Sequence, residues 1–249
     1  MNAAPLHMAG QRLMLDPAGL LAWPSEQLLV VADLHLEKGS SFAAAGRFLP
    51  PYDTRETLER LALALRRWKP ARLVLLGDSF HDRHGCARLQ AADCAALQRM
   101  LAGLEVVWVL GNHDPEPPVG LPGIAVAEWR RGPLMFRHIA EHGANFEVSG
   151  HYHPKAAMPT RAGTVTRPCF LTDARRLLLP AFGAYTGGLE VRDPAIAALF
   201  PRGGRAFLLG QDRLFSFPTG PLRGTRPPGT ENAPSLPDGA PVLTQIGGD

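Results

Sequence analysis

The sequence predicts an α/β fold of two β-sheets flanked by helices, and three observations carry that expectation. Residues 28–32, 73–76 and 106–110 are short apolar runs, β-branched or leucine-rich. Each stops at a polar cluster, as strands buried on both faces of a sheet do. Helical periodicity fills the intervals between them, which is the pattern of a parallel α/β sheet. From Leu134 onward the chain turns to short strands, predicting a second, β-rich sheet packed against the first.

The elements follow in order. Residues 11–23 read as a hairpin, with Leu13 and Leu15 before the turn Asp16-Pro17-Ala18-Gly19 and Leu20 to Trp23 after it. Asp53, with Glu56 three residues later, marks an N-terminal helix cap, and Leu58, Leu61, Leu65 and Trp68 form the apolar stripe behind it. A second helix is expected over 89–101, with Leu89, Ala92, Ala96 and Met100 on one side. Further strands are expected at 134–136, 146–148, 176–179 and 214–217. One domain is thus assigned to residues 1–217. In 218–249, 13 of 32 residues are Pro or Gly and no periodicity survives, so a disordered tail is expected.

Composition narrows the function classes. A chain of 249 residues, 45% hydrophobic and 20% charged, is ordinary for a globular protein with one well-buried core. No apolar run approaches the roughly 18 to 20 residues that span a bilayer. Residues 1–10 lack a basic start followed by an apolar block, so no secretory signal is read and the cytoplasm is the expected location. Cys86, Cys94 and Cys169 are odd in number and lack CxxC spacing, which suits reduced thiols better than a disulfide framework. A net charge of +3 is compatible with a polyanionic partner and does not identify one.

The chemistry gathers where the strands stop. Asp33-Leu34-His35 ends the first strand, Gly77-Asp78 the second and Gly111-Asn112-His113-Asp114 the third; His138 and Gly150-His151-Tyr152-His153 follow later strands. In open α/β sheets ligands bind beyond the carboxyl ends of strands, so these clusters can converge. Carboxylate, imidazole and one amide, with no thiolate, suit a pair of borderline cations: manganese, iron or zinc. Alternation along an extended chain would set Asp33 and His35 on one side, and His151 and His153 likewise. Asp78 is the natural bridging carboxylate, and glycines 77, 111 and 150 would let the backbone turn tightly beside the ligands. Taken singly each piece is commonplace, since Gly-Asn is a turn dipeptide and Asp-x-His often a cap. The ordered set at successive strand ends is what points to metal.

That ordered set resembles the calcineurin-like metallophosphoesterase superfamily. The stretches 31–39, 49–55, 76–82 and 179–189 resemble one branch, the ligase-associated DNA damage response endonuclease (PdeM) family, over about residues 11–217. The resemblance implies a four-layer α/β/β/α sandwich. It also implies one cation held by Asp33, His35, Asp78 and His153 and a second held by Asp78, Asn112, His138 and His151. His138 is preferred to His142 because it directly follows its strand.

The resemblance implies two-metal phosphodiester hydrolysis by a DNA endonuclease or phosphodiesterase in repair, with DNA as substrate, manganese as the first choice of cofactor, and a DNA ligase and helicase as functional associates. A phosphatase or phosphodiesterase for a nucleotide or other small ester is the runner-up, and a scaffold without metal the third reading. His113, beside Asn112, is placed to protonate the leaving oxygen. Many superfamily members read Gly-Asp-x-x-Asp-Arg, whereas here His81 takes the second Asp position and Asp82-Arg83 come one residue late. Lys38, Arg47, Arg55, Lys155, Arg161 and Arg167 are candidate phosphate contacts, and Phe182 and Tyr185 are read as packing residues.

Overall fold

The computed structural model describes residues 2–160 and 163–221. Two mixed sheets face one another. The first holds seven strands in chain order: β1 (Ala4–Met8), β2 (Gln11–Asp16), β3 (Leu20–Trp23), β4 (Leu28–Ala32), β5 (Arg72–Leu76), β6 (Glu105–Val109) and β7 (Ile124–Val126). Pairing is antiparallel as far as β4 and parallel from β4 to β7. Helices α1 (Lys38–Ala44), α2 (Asp53–Trp68), α3 (Gly85–Arg88) and α4 (Ala91–Leu101) fill the crossovers among β4, β5 and β6.

The chain changes sheets at Ala127. The second sheet contains β8 (Glu128–Arg131), β9 (Leu134–Arg137), β10 (Glu147–Ser149), β11 (Lys155–Thr160), β12 (Gly163–Thr172), β13 (Arg176–Leu178), β14 (Arg205–Leu209) and β15 (Leu214–Pro218). Its order is β15-β14-β12-β13-β10-β9-β8, with β11 paired to β12. The one-turn helix α5 (Pro194–Ala197) covers its outer face.

Side-chain alternation builds the layers. Val30, Ala32, Val74, Leu76, Val107 and Val109 point from the first sheet into a shared core with Leu134, Phe136, Val148, Phe170 and Leu177 of the second. Leu29, Val31, Leu73, Leu75, Val106 and Trp108 point the other way, onto Leu58, Leu61, Leu97 and Leu101 of α2 and α4. A strand buried on both faces must be apolar at every position, which is why β4 reads Leu-Leu-Val-Val-Ala. The result is the α/β/β/α sandwich.

Three local expectations need correction. Helix α2 starts at Asp53 with Tyr52 as its cap and no side-chain cap bond, because the Asp53 carboxylate instead accepts from the Gly39 amide at 3.1 Å. Helix α4 begins at Ala91 and buries Leu97 and Leu101, while Ala92 is exposed, so its inward face lies one residue on from the expected stripe. Strand β10 starts after Phe146, whose φ of +58° takes it out of the extended region. At the C-terminal end β15 runs through Pro218, and the Gly204 amide donates to the Thr219 hydroxyl at 2.9 Å. Residues 222–249, most of the segment expected to be a tail, lie outside the described residues.

Candidate metal centre

All five polar clusters stand at the carboxyl ends of strands, Asp33 and His35 after β4, Asp78 after β5, Asn112 and His113 after β6, His138 after β9, and His151 and His153 after β10. The first sheet thus supplies the carboxylates and the amide, and the second sheet supplies three imidazoles. Asp33, Asp78, His35 and His138 are buried, at 0%, 2%, 4% and 4% exposure.

Strand alternation does not bring these side chains together. Asp33, His35, Asp78, His151 and His153 have φ of +54°, +45°, +45°, +68° and +46°, so none is extended. Left-handed non-glycine residues are uncommon and cost of order 1 kcal/mol each, and they concentrate at functional sites. The backbone here is held in that state from outside. The Asp33 amide donates to Gly77 O (3.1 Å), the His35 amide to Asp78 O (2.9 Å) and the Gly150 amide to His138 O (3.1 Å). Of the three glycines expected to turn the chain, Gly77 does so at φ +76°, and a Cβ there would overlap the His138 ring. Gly111 and Gly150 serve by closeness instead, since a Cβ would overlap Asp78 and Asp33.

Two clusters of donors result. In one, His153 Nε2 lies 3.2 Å from Asp33 Oδ1 and 3.3 Å from His35 Nε2. In the other, His138 Nε2 lies 2.9 Å from Asn112 Oδ1, 3.2 Å from His151 Nδ1 and 3.3 Å from Asp78 Oδ2. The same Asp78 Oδ2 is 3.8 Å from His35 Nε2, so it faces both clusters. Ligands about 2.1 Å from a shared cation stand roughly 3 to 3.4 Å from one another, which is the spacing seen. His138 also makes the point by hydrogen-bond count: one Nε2 cannot give one proton to three partners, but one lone pair can join them on a cation. Its Nδ1 faces Leu76 O at 3.4 Å, so in a neutral ring Nδ1 keeps the proton and Nε2 offers the lone pair a cation needs; a ring protonated at both nitrogens donates from Nε2 to Asp78 instead.

The electrostatics divide these rings. Burial lowers His138, but its hydrogen bond with Asp78 and the charges of Asp33 and Asp78 outweigh it and raise this imidazole, whereas His35 and His151 go down. Burial, reinforced by His153, pushes the His35 imidazole down to about 2. Burial and neighbouring His138 lower His151 as well. Both rings are therefore neutral near pH 7. Burial works against the charge on Asp78, yet the His138 hydrogen bond and the His113 amide outweigh it and hold the carboxyl at about 2.

A third cluster, His35, His81 and His113, adjoins the first two. His113 Nδ1 is 2.8 Å from His81 O, a carbonyl that can only accept, so this nitrogen carries the proton and Nε2 is turned toward Asp78 Oδ2 at 4.0 Å. The chain thus holds His113 with a backbone carbonyl where other superfamily members are expected to use the second Asp. Asp82 is engaged elsewhere, in a bidentate pair with Arg88 at 2.7 and 2.9 Å.

Sequence reasoning missed the part played by Asp114. Its carboxylate accepts from the Phe80 amide (3.0 Å) and the Gly111 amide (3.2 Å), stapling together the loops after β5 and β6. Burial, aided by the charge of Asp78, raises this carboxyl to about 6. Its place at the end of Gly111-Asn112-His113-Asp114 was the available signal. Among the candidate phosphate contacts, Arg55 faces Asp93 at 3.8 Å, and Lys155 and Arg167 sit on the β11–β12 hairpin. Arg161 lies outside the described residues. Phe182 is buried, and Tyr185 is 40% exposed.

The calcineurin-like phosphoesterase family model matches residues 27–174, more than half of the chain. Among solved structures, the chain is similar to the Pseudomonas putida nuclease MPE, with 31% identity over 86% of this chain and 100% of that one and a TM-score of 0.67. It also matches Yfce, a phosphoesterase from E. coli, at 15% identity over 76% of this chain and 97% of that one, with a TM-score of 0.39. No curated protein matches. The ordered clusters, their meeting point between two sheets and the family match agree, and the chain belongs to the calcineurin-like phosphoesterase family.

Proposed function

We propose that this protein is a two-metal phosphodiesterase acting on DNA, an endonuclease working in repair. The observation that carries the reading is the Asp78 carboxylate, set between the Asp33–His35–His153 and Asp78–His138–His151 clusters. In this reading Asp33, His35, Asp78 and His153 hold one divalent cation, and Asp78, Asn112, His138 and His151 hold the other. Manganese fits a donor set of oxygen and imidazole nitrogen without thiolate, as do zinc and iron. Such a pair supplies Lewis-acid polarisation of the phosphoryl oxygens and an activated water.

The chain's own residues then do the rest. Asp78 fixes the spacing of the two positions. His113 acts as general acid from its imidazolium form: Nδ1–H stays on His81 O while Nε2–H gives its proton to the leaving oxygen, leaving the neutral ring. His113→Ala is expected to lower kcat about 100-fold while bound manganese stays at wild-type content. Full activity in that variant would remove His113 from the mechanism.

The nucleic-acid part rests on the likeness to a nuclease at 31% identity along its whole length. Nicking of supercoiled plasmid with manganese, and faster hydrolysis of bis-para-nitrophenyl phosphate than of the monoester, test it. A strong preference for the monoester would favour the small-ester phosphatase instead. Manganese should also raise Tm by about 6 °C, the shift for about 2 kcal/mol in a domain of this size. A flat thermal response would count against any cation site. The cytoplasmic location and a working association with a DNA ligase and helicase are part of the same proposal; among the described residues no helix is long and apolar enough to cross a membrane.

A further inference from the structure

Beside the metal centre lies a surface that hydrolysis of a small ester does not require. Helix α1 starts three residues after His35, and the Phe42 ring packs 5.7 Å, centroid to centroid, from His81, which is itself 5.4 Å from both His35 and His113. Two cations gather on Phe42, with Arg47 Cζ 5.0 Å and Lys38 Nζ 5.7 Å from the ring centre. Lys38 Nζ also donates to Tyr185 O at 2.8 Å.

The support under these cations is firm. The Glu37 amide donates to Thr54 Oγ1 (2.8 Å), and that hydroxyl donates on to the Glu37 carboxylate (2.9 Å). Gly39 is bonded to Asp53, and Arg88 Nε donates to Ser40 Oγ at 3.0 Å. Arg55 and Arg88 on this side have carboxylate partners, but among the described residues neither Lys38 nor Arg47 is in an ion pair. Next to Arg47 stands Phe48, 87% exposed, and Tyr52 further along the loop is 61% exposed.

A ring face that holds a guanidinium by cation–π contact fixes its position without using its N–H donors. Cations with no carboxylate in direct contact, beside an exposed aromatic, suit a ligand that is both polyanionic and rich in π-faces, and nucleic acid combines the two. We propose that α1 and the following loop form a strand-positioning lip. Lys38 and Arg47 take phosphates flanking the scissile one, and Phe48 stacks on an adjacent base. This rests on the nucleic-acid reading given above.

Arg47→Ala and Phe48→Ala test it, since both side chains are exposed and the manganese-dependent Tm shift reports that the centre is intact. The readout is the ratio of oligonucleotide cleavage to bis-para-nitrophenyl phosphate hydrolysis. Phe48→Ala is expected to raise the oligonucleotide KM about tenfold with kcat retained, the size of one lost base stack. Arg47→Ala should reduce the slope of log Kd against log salt by about one. Wild-type ratios and slopes in both variants would overturn the lip while leaving the nuclease reading standing. A wild-type protein that hydrolyses the small diester but cuts no nucleic acid would overturn both.

Discussion

Asp78→Ala is expected to abolish manganese-dependent hydrolysis, with kcat/KM for bis-para-nitrophenyl phosphate down by a factor of about 10³ or more. The other ligands proposed here each serve one cation, whereas the Asp78 carboxylate faces both clusters, its Oδ2 lying 3.8 Å from His35 Nε2 and 3.3 Å from His138 Nε2. The same side chain accepts from the His113 amide at 2.9 Å, so its loss also frees the candidate acid. The measurements are bound manganese per chain and steady-state kinetics. Retention of a tenth of the activity with two metals bound would show that Asp78 does not bridge.

Gly183→Ala should destabilise the fold by about 3 kcal/mol, lowering Tm by about 9 °C. A Cβ at this position would overlap the Leu34 carbonyl and meet Asp33 O at 3.1 Å. Both obstacles are backbone, so no side-chain rotation relieves them. They also lie within Asp33-Leu34-His35, and the Gly183 amide donates to Asp33 O at 3.1 Å, so manganese affinity should fall along with stability. Gly187→Ala is the matched control from the same stretch: nothing lies within 4 Å of its Cβ and its φ is not left-handed. Equal melting temperatures for the two variants would show that the Leu179–Leu189 segment can yield.

The positions of Asp33, Asp78 and Asn112 were legible because each follows a strand of the first sheet, β4, β5 or β6, that is buried on both faces and reads as an apolar run. His138 and His151 follow β9 and β10, which carry no such run and were placed by their motifs. β4, Leu28–Ala32, lies where its run placed it. β1, with alternating partial burial at a sheet edge, and β7, three residues long, offer too little contrast to be read. Helix α1 was missed for a related reason, since its Lys-Gly-Ser-Ser start lacks an apolar stripe and it is held by Asp53 and Arg88 from elsewhere in the chain. The backbone geometry of the centre was also out of reach. Left-handed φ at Asp33 or His153 is imposed by contacts with loops distant in sequence, and residue type alone would argue against it. The carbonyl of His81 carries no side-chain signature at all, so its hold on His113 emerges only in three dimensions.

The division of the centre between two sheets bears on when the protein becomes active. Asp33, His35, Asp78 and Asn112 belong to the first 112 residues, while the imidazoles of His138, His151 and His153 arrive only with β9 and β10. With the ligands proposed here, a chain that has completed just its first sheet would retain a cation weakly and hold no hydrolytic pair. Competence to cut a phosphodiester would then arise together with closure of the sandwich, which keeps a nascent or half-opened chain from acting as an uncontrolled hydrolase.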